Sequence, residues 1–297
     1  MDKHLNLFRF FNESDQQVLI ENNLSRAFAL CLSNNSFLLN EYIQDIVSPE
    51  HYEYLFGSLS DDAKYEIDLQ VETSGIEIEN YNTVYAVAMT TDKGVDMFGF
   101  FNQARKPDKK NKTDIFISIK DIAIIIEVKR TEENCVKQLF NQVLPFVDSK
   151  HKPAIVPKCY SWQHVVKIME RVNHVQRLAN QDSVFIAHFL ELSETRYPDW
   201  FEPKPFYTID FSSKEDSPNE VQLKQRMRQA LNSVADTLGK GYELLTYRDR
   251  IGISLPFNWA SELIPHFENN GSNTVAFYVW PGNTNQQGSH IYDKALD

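Results

Sequence analysis

The chain has 297 residues, 42% of them hydrophobic and 24% charged, which is ordinary globular composition with core enough for one large domain or two modest ones. Its formal net charge of -11 argues against a protein that coats nucleic acid through a general basic surface, while leaving room for a local basic groove beside clustered carboxylates. Three cysteines without metal-ligand spacing, no signal-peptide core in the first residues and no membrane-length apolar run set the expectation of a reduced, cytoplasmic protein with no membrane partner.

Asn12 to Asp15 reads as a helix entry, and the helical period continues through Leu32. Val18, Leu24, Phe28, Cys31 and Leu32 share one face. Glu21 falls inside that apolar stripe. A carboxylate there either takes a partner, such as a metal site, or reaches solvent at the stripe's edge. Residues 36–64 read as further helix and loop, broken at Pro49. Three strands are then expected, over Tyr65–Glu72, Thr83–Met89 and Gly94–Phe101. Asp96 in the third is a reserve acid, more simply read as facing solvent. Lys106 to Lys112 is a basic loop, either a solvated turn or a guide for a phosphate backbone.

The stretch from Thr113 to Arg130 carries the strongest signal. Two β-branched runs, Asp114–Ile119 and Ile122–Lys129, are separated only by Lys120-Asp121, which implies an antiparallel hairpin. Lys-Asp is a weak turn signal, because two-residue loops favour Gly or Asn. A turn centred there sets Asp114 directly across from Glu127, and Lys129 shares the face of Glu127. Opposed carboxylates repel, and they become sensible when a hard divalent cation such as Mg²⁺ lies between them. The plainer alternative is a hairpin whose charges keep an edge soluble. Ile124-Ile125-Ile126 weakens that alternative, since it reads as a strand buried on both faces.

Thr113-Asp114, twelve residues, then Glu127-Val128-Lys129 after an apolar run resembles the PD-(D/E)XK nuclease superfamily. The resemblance makes Asp114 and Glu127 metal ligands and Lys129 the catalytic lysine. Thr113 departs from the pattern, standing where Pro is common. A literal Pro107-Asp108 lies upstream, but its register would put Asp108 off the end of the strand. Glu21-Asn22-Asn23-Leu24-Ser25 resembles the first helix of bacterial members, which implies Glu21 as a third carboxylate at the metal. Gln138, nine residues after Lys129, resembles a helix glutamine of related nucleases, although Gln142 replaces the Tyr of the common Gln-x-x-x-Tyr version. The fold implied is α/β, a restriction-endonuclease-like mixed central sheet flanked by helices, covering roughly residues 14 to 195.

Thr131 to Asn134 reads as the start of the helix that carries Val136, Leu139, Phe140 and Val143. Ser161 to Asn180 reads as another, with Lys167, Arg171, His174 and Arg177 as a row that is either a phosphate ridge or a solvated face. Ser183–Leu192 reads as a buried returning strand. The expected organisation is a nuclease core over residues 1–197, a linker or long loop over 198–218, and a smaller α+β segment over 219–297. That segment reads as αββαβ, with a hairpin around Arg248 to Arg250, a short helix over Trp259–Phe267 and a last strand over Thr274–Trp280. Its task is open; homo-oligomerisation, sensing and substrate selection all suit an appendage.

These readings converge on a Mg²⁺-dependent endonuclease, with Mn²⁺ able to substitute, whose partner is nucleic acid, DNA favoured over RNA. Host defence or restriction is the setting the resemblance implies. The alternative is a catalytically silent member of the fold that binds nucleic acid or a protein. Retention of Asp114, Glu127 and Lys129 together speaks against silence.

Overall fold

Side-chain caps set the start of most helices in the structure, a computed structural model that describes residues 7–8, 17–57, 64–91, 95–106, 111–131, 133–202, 218–247, 250–257, 260–268 and 274–281. Asn35 accepts from the Leu38 N–H to open α2 (Ser36–Ile46), and Ser48 accepts from His51 to open α3 (Pro49–Phe56). Pro49 occupies the first turn of α3, where a missing N–H leaves no bond unmade. Ser161 and Ser183 do the same for α5 (Trp162–Leu178) and α6 (Val184–Arg196). The chain divides into two compact units, Met1–Phe201 and Glu202–Asp297.

The first unit is α/β. It begins with α1 (Gln17–Ser33) and builds a five-stranded sheet from β1 (Tyr65–Glu72), β2 (Thr83–Thr90), β3 (Lys112–Ile119), β4 (Ile122–Val128) and β5 (Ala154–Ser161). The strand order is β1-β3-β4-β2-β5. The pairs β1–β3 and β3–β4 are antiparallel, whereas β4, β2 and β5 run parallel. The sheet is therefore mixed.

Helices cover both of its faces. On one, Ile115, Ile117, Ile124 and Ile126 pack with Phe28, Ile43, Trp162 and Phe189. On the other, Phe116, Ala123 and Ile125 pack with Leu139, Phe140 and Val143 of α4 (Val136–Asp148). Every residue of β2 and β4 is buried, which is why Ile122 to Ile126 is an unbroken apolar run. Burying each isoleucine there contributes about 1.5–3 kcal/mol.

The Lys120-Asp121 turn holds although its residues are poor turn formers. Lys120 adopts a left-handed φ of 52°, and its ammonium donates to the Tyr54 carbonyl at 2.9 Å and lies over the Tyr54 ring. Asp121 accepts from the Asn82 side chain at 2.6 Å. Tertiary anchors thus replace intrinsic turn preference. Ile119 pairs with Ile122 and Ile115 with Ile126, so one further step sets Asp114 opposite Glu127.

Three readings of the sequence are corrected in this unit. Residues 95–101 form no strand: the Asp96 carboxylate takes the Phe98 N–H at 2.7 Å, Gly99 is left-handed and Phe100–Asn102 is a single 3₁₀ turn. Gly94 lies outside the described residues. Ser183–Leu192 is not a returning strand but the cap and body of α6, whose buried Ile186, Phe189 and Ser193 recur at helical spacing. The strand that completes the sheet is β5, whose Pro157 and Lys158 disguise it and which an edge position tolerates. The helix after Lys129 starts at Val136, not Thr131, with the Asn134 side chain accepting the Val136 N–H.

The second unit holds α7 (Pro218–Leu238) and a four-stranded antiparallel sheet of β6 (Leu244–Tyr247), β7 (Arg250–Phe257), β8 (Ala260–Glu268) and β9 (Thr274–Trp280), in that order. Gly239, at φ 80°, ends α7. The helix expected over Trp259–Phe267 is β8 instead, Trp259 itself lying outside the described residues. Pro265 argues against a helix there, and it sits beyond the part of β8 that pairs with β7.

Candidate active site

The site forms where β3 and β4 part. The ladder pairs the two strands as far as Ile115 and Ile126, and beyond it the Asp114 side chain takes over, Oδ2 accepting the Val128 N–H at 2.9 Å. Thr113 is wholly buried, its hydroxyl lying 2.9 Å from the Ile115 carbonyl and 3.1 Å from that of Ile126. It is a polar tie between the strands.

Glu127 is 1% exposed. Its Oε2 accepts the Gln142 side-chain amide of α4 at 2.6 Å, and that amide also donates to the Lys112 carbonyl at 2.7 Å. The Lys129 ammonium forms an ion pair with Glu127 Oε1 at 3.0 Å. The same ammonium donates to Glu21 Oε2 of α1 at 3.5 Å. The Lys129 main chain is clamped at the sheet's end: its N–H donates to the Met89 carbonyl at 2.8 Å, and its carbonyl accepts the Trp162 indole N–H at 2.9 Å.

Burial pushes the Glu127 carboxyl up to about 7, and the charge of Asp114 adds to the push. Asp114 is raised too, again by burial, against donors from Val128 and Gln70 and the charge of Lys129. Lys129 stays firmly protonated: burial opposes its charge, but Glu127, Glu21 and Asp114 together hold its pKa above the ordinary value. A buried acid raised by the charge of a half-buried one, beside a single ammonium, favours a shared proton or a cation.

Three of the residues singled out from the sequence, Asp114, Glu127 and Lys129, meet here, and Glu21 reaches the group through Lys129. Gln138 is exposed in the first turn of α4; one turn later Gln142 makes the bond to Glu127. In the sequence Gln142 stands out only as a departure from the Tyr of the Gln-x-x-x-Tyr pattern that the segment resembles. Asp96 is exposed and engaged with its own turn. In the basic loop, residues 107–110 lie outside the described residues, Arg105 pairs with Asp148, and the Lys106 N–H donates to Asn141. On α5, Arg171 pairs with Glu41 and Arg177 lies within ion-pair range of Asp182, which fits the solvated face rather than a phosphate ridge.

Among the described residues, no three His, Cys, Asp or Glu side chains stand close enough to hold a metal ion together. The donor set at the hairpin is two carboxylates, Asp114 and Glu127. That number suits Mg²⁺, which keeps several waters and takes one or two protein carboxylates with substrate phosphates. Glu127 Oε1, which faces the Lys129 ammonium, is the oxygen a cation would use. Two features had no clear sequence signal. Gln70 of β1 donates to Asp114 Oδ1 at 2.9 Å. Tyr197, hydrogen-bonded to Arg130, heads a stack in which its ring lies 4.1 Å from Trp200, itself 4.6 Å from Trp162. Comparison with protein-family models, curated proteins and solved structures finds no match.

Proposed function

We propose that this chain is a metal-dependent nuclease that hydrolyses phosphodiester bonds, acting on DNA as an endonuclease, with a core of the restriction-endonuclease type. The observation that supports this most is the meeting of Asp114, Glu127 and Lys129 at the open end of the β3–β4 hairpin, with Glu21 against the same ammonium. Both carboxyls are raised by burial, and that of Glu127 further by the charge of Asp114, the kind of perturbation that clusters at functional sites.

In this reading Asp114 and Glu127 hold Mg²⁺ or Mn²⁺. The ion supplies Lewis acidity: it lowers the pKa of a bound water and draws charge from the phosphate. Glu127 must shed its proton to serve, and the Gln142 amide favours its charged form. Lys129 remains an ammonium, available to orient the nucleophile or offset charge developing on the phosphate. Glu21 is a second acid against that ammonium and limits where it can point. Defence against foreign DNA is the biological setting the resemblance of α1 suggests.

The direct test is nicking of supercoiled plasmid with Mg²⁺, with Mn²⁺ and with EDTA, beside a single-stranded RNA of matched length. Metal-dependent nicking of the plasmid is the expected result. Binding of DNA without cleavage under any ion would overturn catalysis in favour of a silent, binding member of the fold.

A further inference from the structure

We infer that Gln70 is a positioning residue of this site, its side-chain amide fixing the Asp114 carboxylate and tying it to α1; the inference rests on the metal-nuclease reading above. Gln70 lies inside β1, yet its φ is 55°, in the left-handed region that residues with a Cβ avoid. Its neighbours pair normally with β3, Leu69 with Ile115 and Val71 with Thr113, so Gln70 stands across from Asp114. The kink reverses the side-chain alternation. Tyr65 and Ile67 pack in the core layer of α1, whereas Val71, an even number of residues on, packs in the layer of α4.

Reversal alone does not explain a glutamine. Gly adopts a left-handed backbone without steric penalty, and Asn tolerates it better than most. What Gln adds is reach. Its amide nitrogen donates to Asp114 Oδ1 at 2.9 Å and lies 3.4 Å from Asn22 Oδ1, one residue after Glu21 on α1. The two oxygens of Asp114 thus each have one donor, Gln70 at Oδ1 and the Val128 N–H at Oδ2. A carboxylate oxygen has a second lone pair, so both can still accept a cation while the donors fix the plane of the group. Gln70 is exposed, so water could satisfy either partner in its place; what water cannot do is hold a direction.

Two substitutions separate the amide from the backbone. Gln70→Gly keeps the reversal and relieves the strain, whereas Gln70→Met keeps the side-chain length and the strain but donates nothing. Mn²⁺ affinity read by the electron-spin-resonance signal of free Mn²⁺, melting temperature without metal and plasmid nicking would be measured on wild type and both variants. Both variants should bind Mn²⁺ about ten-fold or more weakly and nick correspondingly slowly, since partners of metal ligands typically matter by that factor. Gln70→Gly should melt no lower than wild type. Wild-type Mn²⁺ affinity and nicking in both variants would overturn the positioning role and leave the nuclease reading intact. A wild-type protein that neither binds Mn²⁺ nor nicks would overturn the nuclease reading and this inference with it.

Discussion

Gln142 donates to Glu127 at 2.6 Å, and the two residues come from opposite kinds of structure, the middle of α4 and the end of an all-buried strand. Burying a carboxylate among isoleucines is tolerable only with partners. Gln142 is one of them, and its other bond, to the Lys112 carbonyl, fastens α4 to the start of β3. Replacing it by Leu leaves Glu127 Oε2 and the Lys112 carbonyl without that donor. Gln142→Leu should lower stability by about 1–3 kcal/mol, read by urea unfolding. It should also raise the pKa of Glu127, because the donor favours the charged form, and so move the acid limb of the pH–nicking profile to higher pH.

The raised Glu127 carboxyl has a consequence for folding. Its pKa goes from an ordinary 4.5 up to about 7, so between those values the native state binds a proton that the unfolded chain has released. Stability tied to this group is complete below 4.5 and is lost as pH rises through about 7. Lys129 adds no slope in that window, being protonated in both states. Melting temperature without metal should therefore fall more steeply from pH 5 to 8 in wild type than in Glu127→Gln. Equal slopes would show that Glu127 titrates normally.

Trp162 places Lys129 through a main-chain bond rather than a charge. Its indole N–H holds the Lys129 carbonyl at 2.9 Å, and its ring is stacked on Trp200 and packed against Phe28. Trp162→Phe keeps an aromatic ring but removes the donor. A loss of about 1–3 kcal/mol in stability is expected. The nicking rate should fall with the metal affinity unchanged, because Lys129 is not a ligand; a weaker Mn²⁺ affinity would show the damage to be general.

Much of this was legible in the sequence because it was short-range. Lys120-Asp121 between two β-branched runs fixes a register, and register alone carries Asp114 to Glu127. The buried strand β4 announced itself by Ile124 to Ile126. Illegible features depended on distant partners. Nothing local separates a helix from a strand over Val184–Leu192, where apolar residues are nearly continuous and only the Ser183 cap decides. The left-handed backbone of Gln70 serves a layer switch that exists only once α1 and α4 flank the sheet. Gln142 rather than Gln138 reaches Glu127 because α4 begins only at Val136, so Gln138 lies exposed in its first turn and Gln142 follows one turn further along the same side.

The final prediction separates catalysis from folding at two neighbouring side chains. Glu127→Ala removes a buried acid that Asp114 repels and, on the proposed reading, a metal ligand; Lys129→Ala removes an ammonium that touches two acids and on that reading binds no metal. Glu127→Ala should abolish nicking and weaken Mn²⁺ binding. Its fold should survive, since the cavity left is offset by relief of a desolvated charge. Lys129→Ala should cut nicking by about a hundred-fold or more while Mn²⁺ still binds, as expected when a group acts on developing charge. Without metal it should also melt lower than wild type, because Glu127 and Glu21 lose the cation between them. Added Mn²⁺ should restore most of that loss. Full cleavage by folded Lys129→Ala protein would remove Lys129 from the chemistry and leave it the structural task of separating two carboxylates.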